Sequence, residues 1–412
     1  MSSVRSTFVI EREQCLCIFI CGCLYFQTIA DVFLRLIRMV FSETYKIDTM
    51  ILYSIFVLCF LWGMPRIIRS VSLTHILIIL FILVCVLVSW IINGDREGIY
   101  FTVLKNICMG CFPAFLAVAS ISDYTMLKKF LYKFSLLALS IEWVKIIFGA
   151  GLQTNGELLY SQQTGYVALT ISVVCIMEWL KKRNLMSGLA SVAGVGLVLV
   201  AGARGPLLAL GLYVLCQIIK EIHARGKEKK IFAVVTIGVS LALFVIFNIR
   251  NLALFLQPIF LKLKLSPRLL YQIADANMFE DSSRIKLICY GIKNLLEKPL
   301  FGTGVLKDRY IMRDIMEPYG EAIGWYPHNI VLEVFMQFGL VLGLLLLISL
   351  VFLIGRTLKH DKNSDRKRLV LAFCGIGLFP LFISSSYIEY TEFYILLGLC
   401  SMFGERGHNE IS

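Results

Sequence analysis

The chain has 412 residues, 58% of them hydrophobic and 17% charged, with a mean hydropathy of +0.78. Soluble domains are about 45–50% apolar and about 25% charged. A large soluble domain is therefore excluded, and an all-α polytopic membrane protein is expected, a single integral membrane domain over residues 1–412. The net charge of +12 does not point to nucleic acid: Lys and Arg fall in short loops between apolar runs, with no basic stripe interleaved with aromatics.

The N-terminal stretch mixes Arg5 and Arg12 with Glu11 and Glu13 and shows no small-residue cleavage site, so it reads as an uncleaved first anchor. Twelve apolar segments are expected, at 14–34, 49–64, 73–92, 101–119, 130–148, 164–180, 185–203, 206–219, 231–249, 329–355, 369–386 and 392–403. The segments near 206 and 392 are short against the ~20 residues that cross a bilayer core. With the N-terminus inside, the inner loops hold twenty-one Lys and Arg and the short outer loops five. That bias places both termini in the cytoplasm.

Residues 250–328, between spans nine and ten, then form one large outer loop, too long for an ordinary connection. Inside it Ile285, Ile288, Ile292 and Leu295 recur at helical spacing. Pro299 stops that helix, and Gly302-Thr303-Gly304 makes a turn. Amphipathic helices lying across the membrane surface are expected. The absence of an internal repeat argues against an inverted-repeat transporter.

All thirteen Cys but Cys289 lie in or beside apolar runs. They read as small apolar residues rather than a disulfide set, the Cys108/Cys111 pair included. There is no GxxxxGK[ST] loop, no HExxH and no outer Asp-x-Asp pair, so no metal and no cofactor is expected.

Three residues could carry chemistry. Arg204, in Gly-Ala-Arg-Gly-Pro at 202–206, opens a segment short enough for its turn to be recessed into the outer leaflet. A buried Arg there usually has a partner or a task, although a lone Arg can simply snorkel to headgroups. Arg284 follows Asp281-Ser282-Ser283 at a helix start, with Ser282 or Ser283 as cap. A guanidinium beside free helix N–H groups suits a phosphate, and a solvated Arg paired with Asp281 is the plainer alternative.

His328, in Pro327-His328-Asn329, directly precedes a helix, with Asn329 or His328 itself as cap. The positive end of that helix disfavours imidazolium, and a neutral imidazole is what a general base requires. Glu333 lies about 140° round the helix from His328, and its role stays open. Glu142 and Lys145, three apart in the fifth segment, should neutralise each other. Lys105 and Asn106 pose the same question in the fourth. The turn from Tyr387 through Glu389 to Glu392 could hydrogen-bond a sugar or belong to the aromatic belt.

The chain resembles the bacterial O-antigen ligase and O-antigen polymerase superfamily, integral-membrane glycosyltransferases of the GT-C type. The likeness rests on Arg-Gly-Pro at 204–206; on Ser283-Arg284 followed by Lys298-Pro299-Leu300-Phe301-Gly302-Thr303-Gly304; and on His328-Asn329 with Leu332-Glu333 and Gly339. It implies a glycan carried on undecaprenyl diphosphate at the periplasmic face of a bacterial inner membrane. It implies that Arg204 and Arg284 grip the diphosphate, that His328 takes the acceptor's proton, and that the reaction inverts the anomeric carbon without a metal. Asn329, Glu333, Tyr387 and Glu389 would be supporting residues. A polymerase, with a chain-length-regulating membrane protein as partner, is the leading expectation. A ligase that passes the glycan to lipid A core is the alternative, although no outer Lys or Arg cluster marks such an acceptor site. A transporter for the same lipid would need paired discontinuous spans, which the sequence lacks.

Overall fold

The computed structural model describes residues 2–40, 45–95, 98–147, 162–201, 203–224, 254–255, 257–258, 282–316 and 326–401. Every regular element among them is helical. Among the described residues six helices are long and apolar enough to cross a membrane: Arg12–Val32, Leu73–Asn93, Ile99–Ala119, Gln162–Lys182, Arg204–His223 and Ile330–His360. The expected segment 231–249 and, within the loop 250–328, residues 250–253, 256, 259–281 (Asp281 included) and 317–325 lie outside the described residues. Two compact units form: unit 1 from Met1–Phe26, Leu36–Leu131 and Leu287–Ser412, and unit 2 from Gln27–Arg35 and Tyr132–Lys286.

In unit 2, α7 (Gln162–Lys182) and α8 (Leu185–Ala201) pack as a hairpin through small residues. A Cβ on Gly194 would lie 3.0 Å from Ser172 Oγ, and one on Gly165 would lie 2.8 Å from Ala203. Such close backbones are how helices associate where lipid removes the hydrophobic drive. Glu142 and Lys145 do pair, at 2.9 Å, and the same ammonium reaches Asp31 at 2.9 Å while Thr28 donates to Glu142 at 2.8 Å. α9 (Arg204–Ala224) runs 21 residues, about 32 Å at 1.5 Å per residue. The short segment expected near 206 is thus full length, because the helix starts at Arg204 and runs on past residue 219 through Lys220 and Glu221 to Ala224. The argument for a recessed turn at Arg204 falls with it.

Unit 1 holds two separate sets of polar contacts. Glu13 pairs with Arg66 at 2.9 Å and accepts from the Ser122 and Asp123 amides at 2.6 and 2.8 Å. Lys128 meets Asp365 at 2.7 Å, and Arg366 meets Asp361 at 2.9 Å. These residues come from loops that the charge bias assigns to one side. The other set joins residues 89–106, 305–310 and 384–389, which the same bias assigns to the opposite side.

α10 (Ser282–Glu297) confirms the helix expected before Pro299. The helix carries two apolar stripes. Leu287 packs with Met312, Leu332 and Met336, while Ile288 and Ile292 are exposed together with Leu296, Leu300 and Phe301. One stripe seats the helix on the protein, and the other leaves an apolar surface suited to lipid.

After Glu297 the chain turns through Gly302 (φ 67°) and Gly304 (φ 95°). This turn locks onto a kink in α12 (Ile330–His360) at Gly339, whose φ of 76° and ψ of 176° break the helix. The kink releases the Met336 and Gln337 carbonyls, which accept from the Thr303 amide at 2.7 Å and the Gly304 amide at 3.0 Å. In return Leu340 N donates to Pro299 O at 2.7 Å. A Cβ on Gly339 would stand 2.1 Å from Leu300 O, so glycine is required there by contact and by φ.

The expected span 369–386 is not one helix. It consists of α13 (Ser364–Phe373), a π turn at Cys374–Leu378 and a 3-10 turn at Phe379–Phe382, leading to an irregular segment before α14 (Thr391–Cys400). A second π turn, Ile107–Cys111, divides α4 (Ile99–Asn106) from α5 (Phe112–Ala119). Pro113 explains it in part: lacking an N–H, it cannot bond the carbonyl four residues back.

Candidate functional site

Asn329 caps α12. Its side-chain oxygen accepts from Val331 N at 3.0 Å and Leu332 N at 3.2 Å. His328 therefore stands outside the helix, with φ at +54°, in the left-handed region that few residues other than glycine adopt. Its Nδ1 lies 3.1 Å from the Ser384 carbonyl. A carbonyl can only accept, so Nδ1 carries the hydrogen and Nε2 holds the basic lone pair. The Tyr326 hydroxyl donates to the same carbonyl at 2.6 Å, and the two rings lie 4.3 Å apart.

Behind this pair lies a buried polar cluster that the sequence did not reveal. α11 (Lys307–Met316) contributes Asp308 and Arg309. The Arg309 guanidinium sits 5.4 Å over the Tyr326 ring, donates to Ser386 Oγ at 3.3 Å and pairs with Glu389 at 2.8 Å. The Ser386 hydroxyl donates to Glu333, and the Tyr387 hydroxyl donates to Gln337. Gln337 in turn donates to Asp308 at 2.8 Å. Asp308 Oδ2, Arg309 Nε and Glu333 Oε2 are buried with no hydrogen-bond partner. Unsatisfied groups of this kind are rare in native interiors and mark strained or functional places.

Electrostatics follow from burial. Three carboxyls, Asp308, Glu333 and Glu389, face one guanidinium. Burial pushes the Asp308 carboxyl up to about 6, against the pull of Arg309 and the Gln337 amide. Burial works against the Arg309 charge, but Glu389, Asp308 and Glu333 together hold it above its ordinary range. Folded Asp308 keeps its proton to about pH 6, whereas an unperturbed carboxyl releases it near 3.8. The folded state binds the extra proton between those values, so stability falls as pH climbs through that window. Asp308→Asn should remove this dependence: its melting temperature should match the wild type near pH 4 and exceed it by several degrees at pH 7.5. A variant less stable at pH 7.5 would show that the ionised Asp308–Arg309 attraction outweighs desolvation.

The residues expected from the sequence are distributed as follows. His328, Asn329, Glu333, Tyr387 and Glu389 all belong to unit 1 and meet around residues 382–389. Glu333 is fully buried and engaged by Ser386. Tyr387 spends its hydroxyl on Gln337 rather than presenting it outward. Arg284 lies in the first turn of α10, and Arg204 opens α9, half-buried, in unit 2. Asn106, noted in the sequence only with Lys105 as a polar pair within the fourth segment, donates from Nδ2 to Glu389 Oε2 at 3.4 Å. One signal for the cluster was legible: Glu333 and Gln337 are polar residues four apart in an apolar helix, a spacing that points both inward.

Among the described residues no group of three His, Cys, Asp or Glu converges as a metal-binding set. Residues 189–348 match the family model described as O-Antigen ligase. That stretch contains Arg204, Arg284, Asp308, Arg309, His328, Glu333, Gln337 and Gly339, and it leaves out Asn106 and the Ser384–Glu389 segment. No curated protein and no solved structure matches the chain.

Proposed function

We propose, for a chain whose residues 189–348 match the family model described as O-Antigen ligase, that it is a polysaccharide polymerase of that superfamily. It would transfer a glycan from undecaprenyl diphosphate to the next lipid-linked repeat unit, at the periplasmic face of a bacterial inner membrane. The topology that goes with this reading has twelve spans, both termini in the cytoplasm and residues 250–328 outside.

The observation that carries the reading is the His328–Ser384 contact, which leaves Nε2 as the basic nitrogen. Nε2 takes the proton of an acceptor hydroxyl, and that oxygen attacks the anomeric carbon from the face opposite the diphosphate. The carbon–oxygen bond to the diphosphate breaks, the configuration inverts, and undecaprenyl diphosphate leaves. Arg204 and Arg284 bind the diphosphate and stabilise its developing charge. Asn329 fixes the start of α12 and hence the place of His328. A chain-length-regulating membrane protein is the expected partner.

The family description favours a second reading, a ligase with the same donor and base but with lipid A core as acceptor. Deletion of the gene and electrophoresis of surface polysaccharide separate the two. A lost ladder with one repeat kept on the core marks the polymerase. Loss of all attached glycan, with lipid-linked polymer accumulating, marks the ligase. An unchanged ladder overturns both.

A further inference from the structure

We propose that Glu389 and Asn106 form a subsite for hydroxyl groups of the acceptor sugar. This deepens the proposed glycan transfer and rests on it.

Glu389 is fixed at one oxygen and available at the other. The Arg309 guanidinium, with 6% of its side chain exposed, holds Oε1 at 2.8 Å. Oε2 receives Asn106 Nδ2 at 3.4 Å, near the outer limit of a hydrogen bond. A sugar hydroxyl at the usual 2.7–2.8 Å would make the stronger contact with that oxygen. Glu389 keeps 28% of its side chain exposed, and Asn106 is exposed.

The depth of this pair argues for a hydrated crevice. Asn106 lies seven residues into the apolar helix Ile99–Ala119, about 10 Å along its axis. A carboxylate and an amide facing lipid there would be costly, so they are expected to line a wet cavity.

The backbone around the pair is built to place it. One π turn begins directly after Asn106, and the other precedes the segment that carries Glu389. Both abut the start of α14: a Cβ on Gly377 would stand 2.5 Å from Glu392 O, and one on Gly110 would stand 3.6 Å from Thr391 Oγ1. π turns inside helices re-aim side chains and recur at functional sites.

Charge then selects the ligand class. Arg309 already compensates Glu389, so the pair offers no net positive field for a phosphate. A carboxylate oxygen beside an amide accepts from and donates to neutral hydroxyls. The same segment, five residues earlier, holds His328 through Ser384, which puts hydroxyl recognition next to the proposed base. Asn106 and Glu389 also lie outside the stretch that matches the family, as expected where a shared donor chemistry meets a varying acceptor.

The test uses purified full-length protein in nanodiscs and two probes: the repeat-unit oligosaccharide released from the lipid-linked pool of gene-deleted cells, and undecaprenyl diphosphate. Asn106→Ala changes an exposed side chain and should fold. It should bind the oligosaccharide about tenfold more weakly, ~1.4 kcal/mol, with undecaprenyl diphosphate affinity unchanged. Glu389→Gln should weaken the oligosaccharide likewise. In transfer assays Asn106→Ala should raise the acceptor KM more than it lowers kcat. Oligosaccharide affinity equal to wild type in Asn106→Ala, or no oligosaccharide binding by the wild type, overturns the subsite. His328→Ala should bind the oligosaccharide normally while transferring nothing. If His328→Ala transfers normally, the base is refuted, and a binding defect in Asn106→Ala still upholds the subsite.

Discussion

His328→Ala should reduce glycan transfer by about 10²–10⁴-fold, the usual contribution of a positioned general base, while leaving a folded protein in the membrane. The local contacts explain why the fold survives. Tyr326 still donates to the Ser384 carbonyl at 2.6 Å, so no buried acceptor is orphaned. Asn329 still caps α12 through Val331 and Leu332. The one structural cost lies in the backbone, because alanine is strained at the φ of +54° that His328 adopts. His328→Asn provides the control, since asparagine tolerates that conformation better and supplies no base. Both variants should have melting temperatures within a few degrees of wild type and lack transfer in proteoliposomes. Wild-type polymer from either would remove His328 from the reaction.

The elements most legible in the sequence were those that local rules determine. Pro299 and the two glycines after it mark a helix stop and a turn, and both are present. Glu142 and Lys145 were legible as a pair because three-residue spacing suffices to bring them together. The helix start at residues 328–330 followed from the Asn329 cap. What the sequence hid was tertiary. Gly339 carried no signal of a kink until Thr303, Gly304 and Leu300 were seen to fill the gap it opens. α11 reads by composition as a solvated helix, with Lys307, Asp308, Arg309, Arg313 and Asp314 in ten residues. Yet Asp308 and Arg309 are buried, because Gln337, Ser386 and Glu389 arrive from distant segments to meet them. No periodicity within α11 could report partners 29 to 80 residues away.

The burial of Asp308 and Arg309 bears on how the site is held. His328 depends on the Ser384 carbonyl, and Ser384 lies in a turn whose Ile383, Ser384 and Ser385 amides all donate to Pro380 O, at 2.9–3.1 Å. Past that turn, side chains add further ties. Arg309 does so at Ser386 and Glu389, and its planar face covers Tyr326. The buried cluster thus works as a frame for the imidazole, with Glu333 and Gln337 anchoring the same segment from α12.

Replacing Arg309 should therefore cause the largest loss of stability of any single change in this cluster. Arg309→Ala removes the one guanidinium that faces Asp308, Glu333 and Glu389. Breaking a buried pair by deleting one partner typically costs about 3–5 kcal/mol, because the other charge is left buried and uncompensated. For a protein of this size that corresponds to a fall in melting temperature of about 4–6 °C. Arg309→Lys keeps the charge but loses the flat fork and the face laid over Tyr326, so it should retain most of the stability and only part of the transfer activity. The decisive measurement is a double-mutant cycle. Arg309→Met combined with Glu389→Gln removes both charges and should be more stable than Arg309→Met alone, with a coupling of about 1–3 kcal/mol. Strict additivity of the two changes, or an Arg309→Ala protein that melts with the wild type, would mean that the guanidinium does not hold this segment in place.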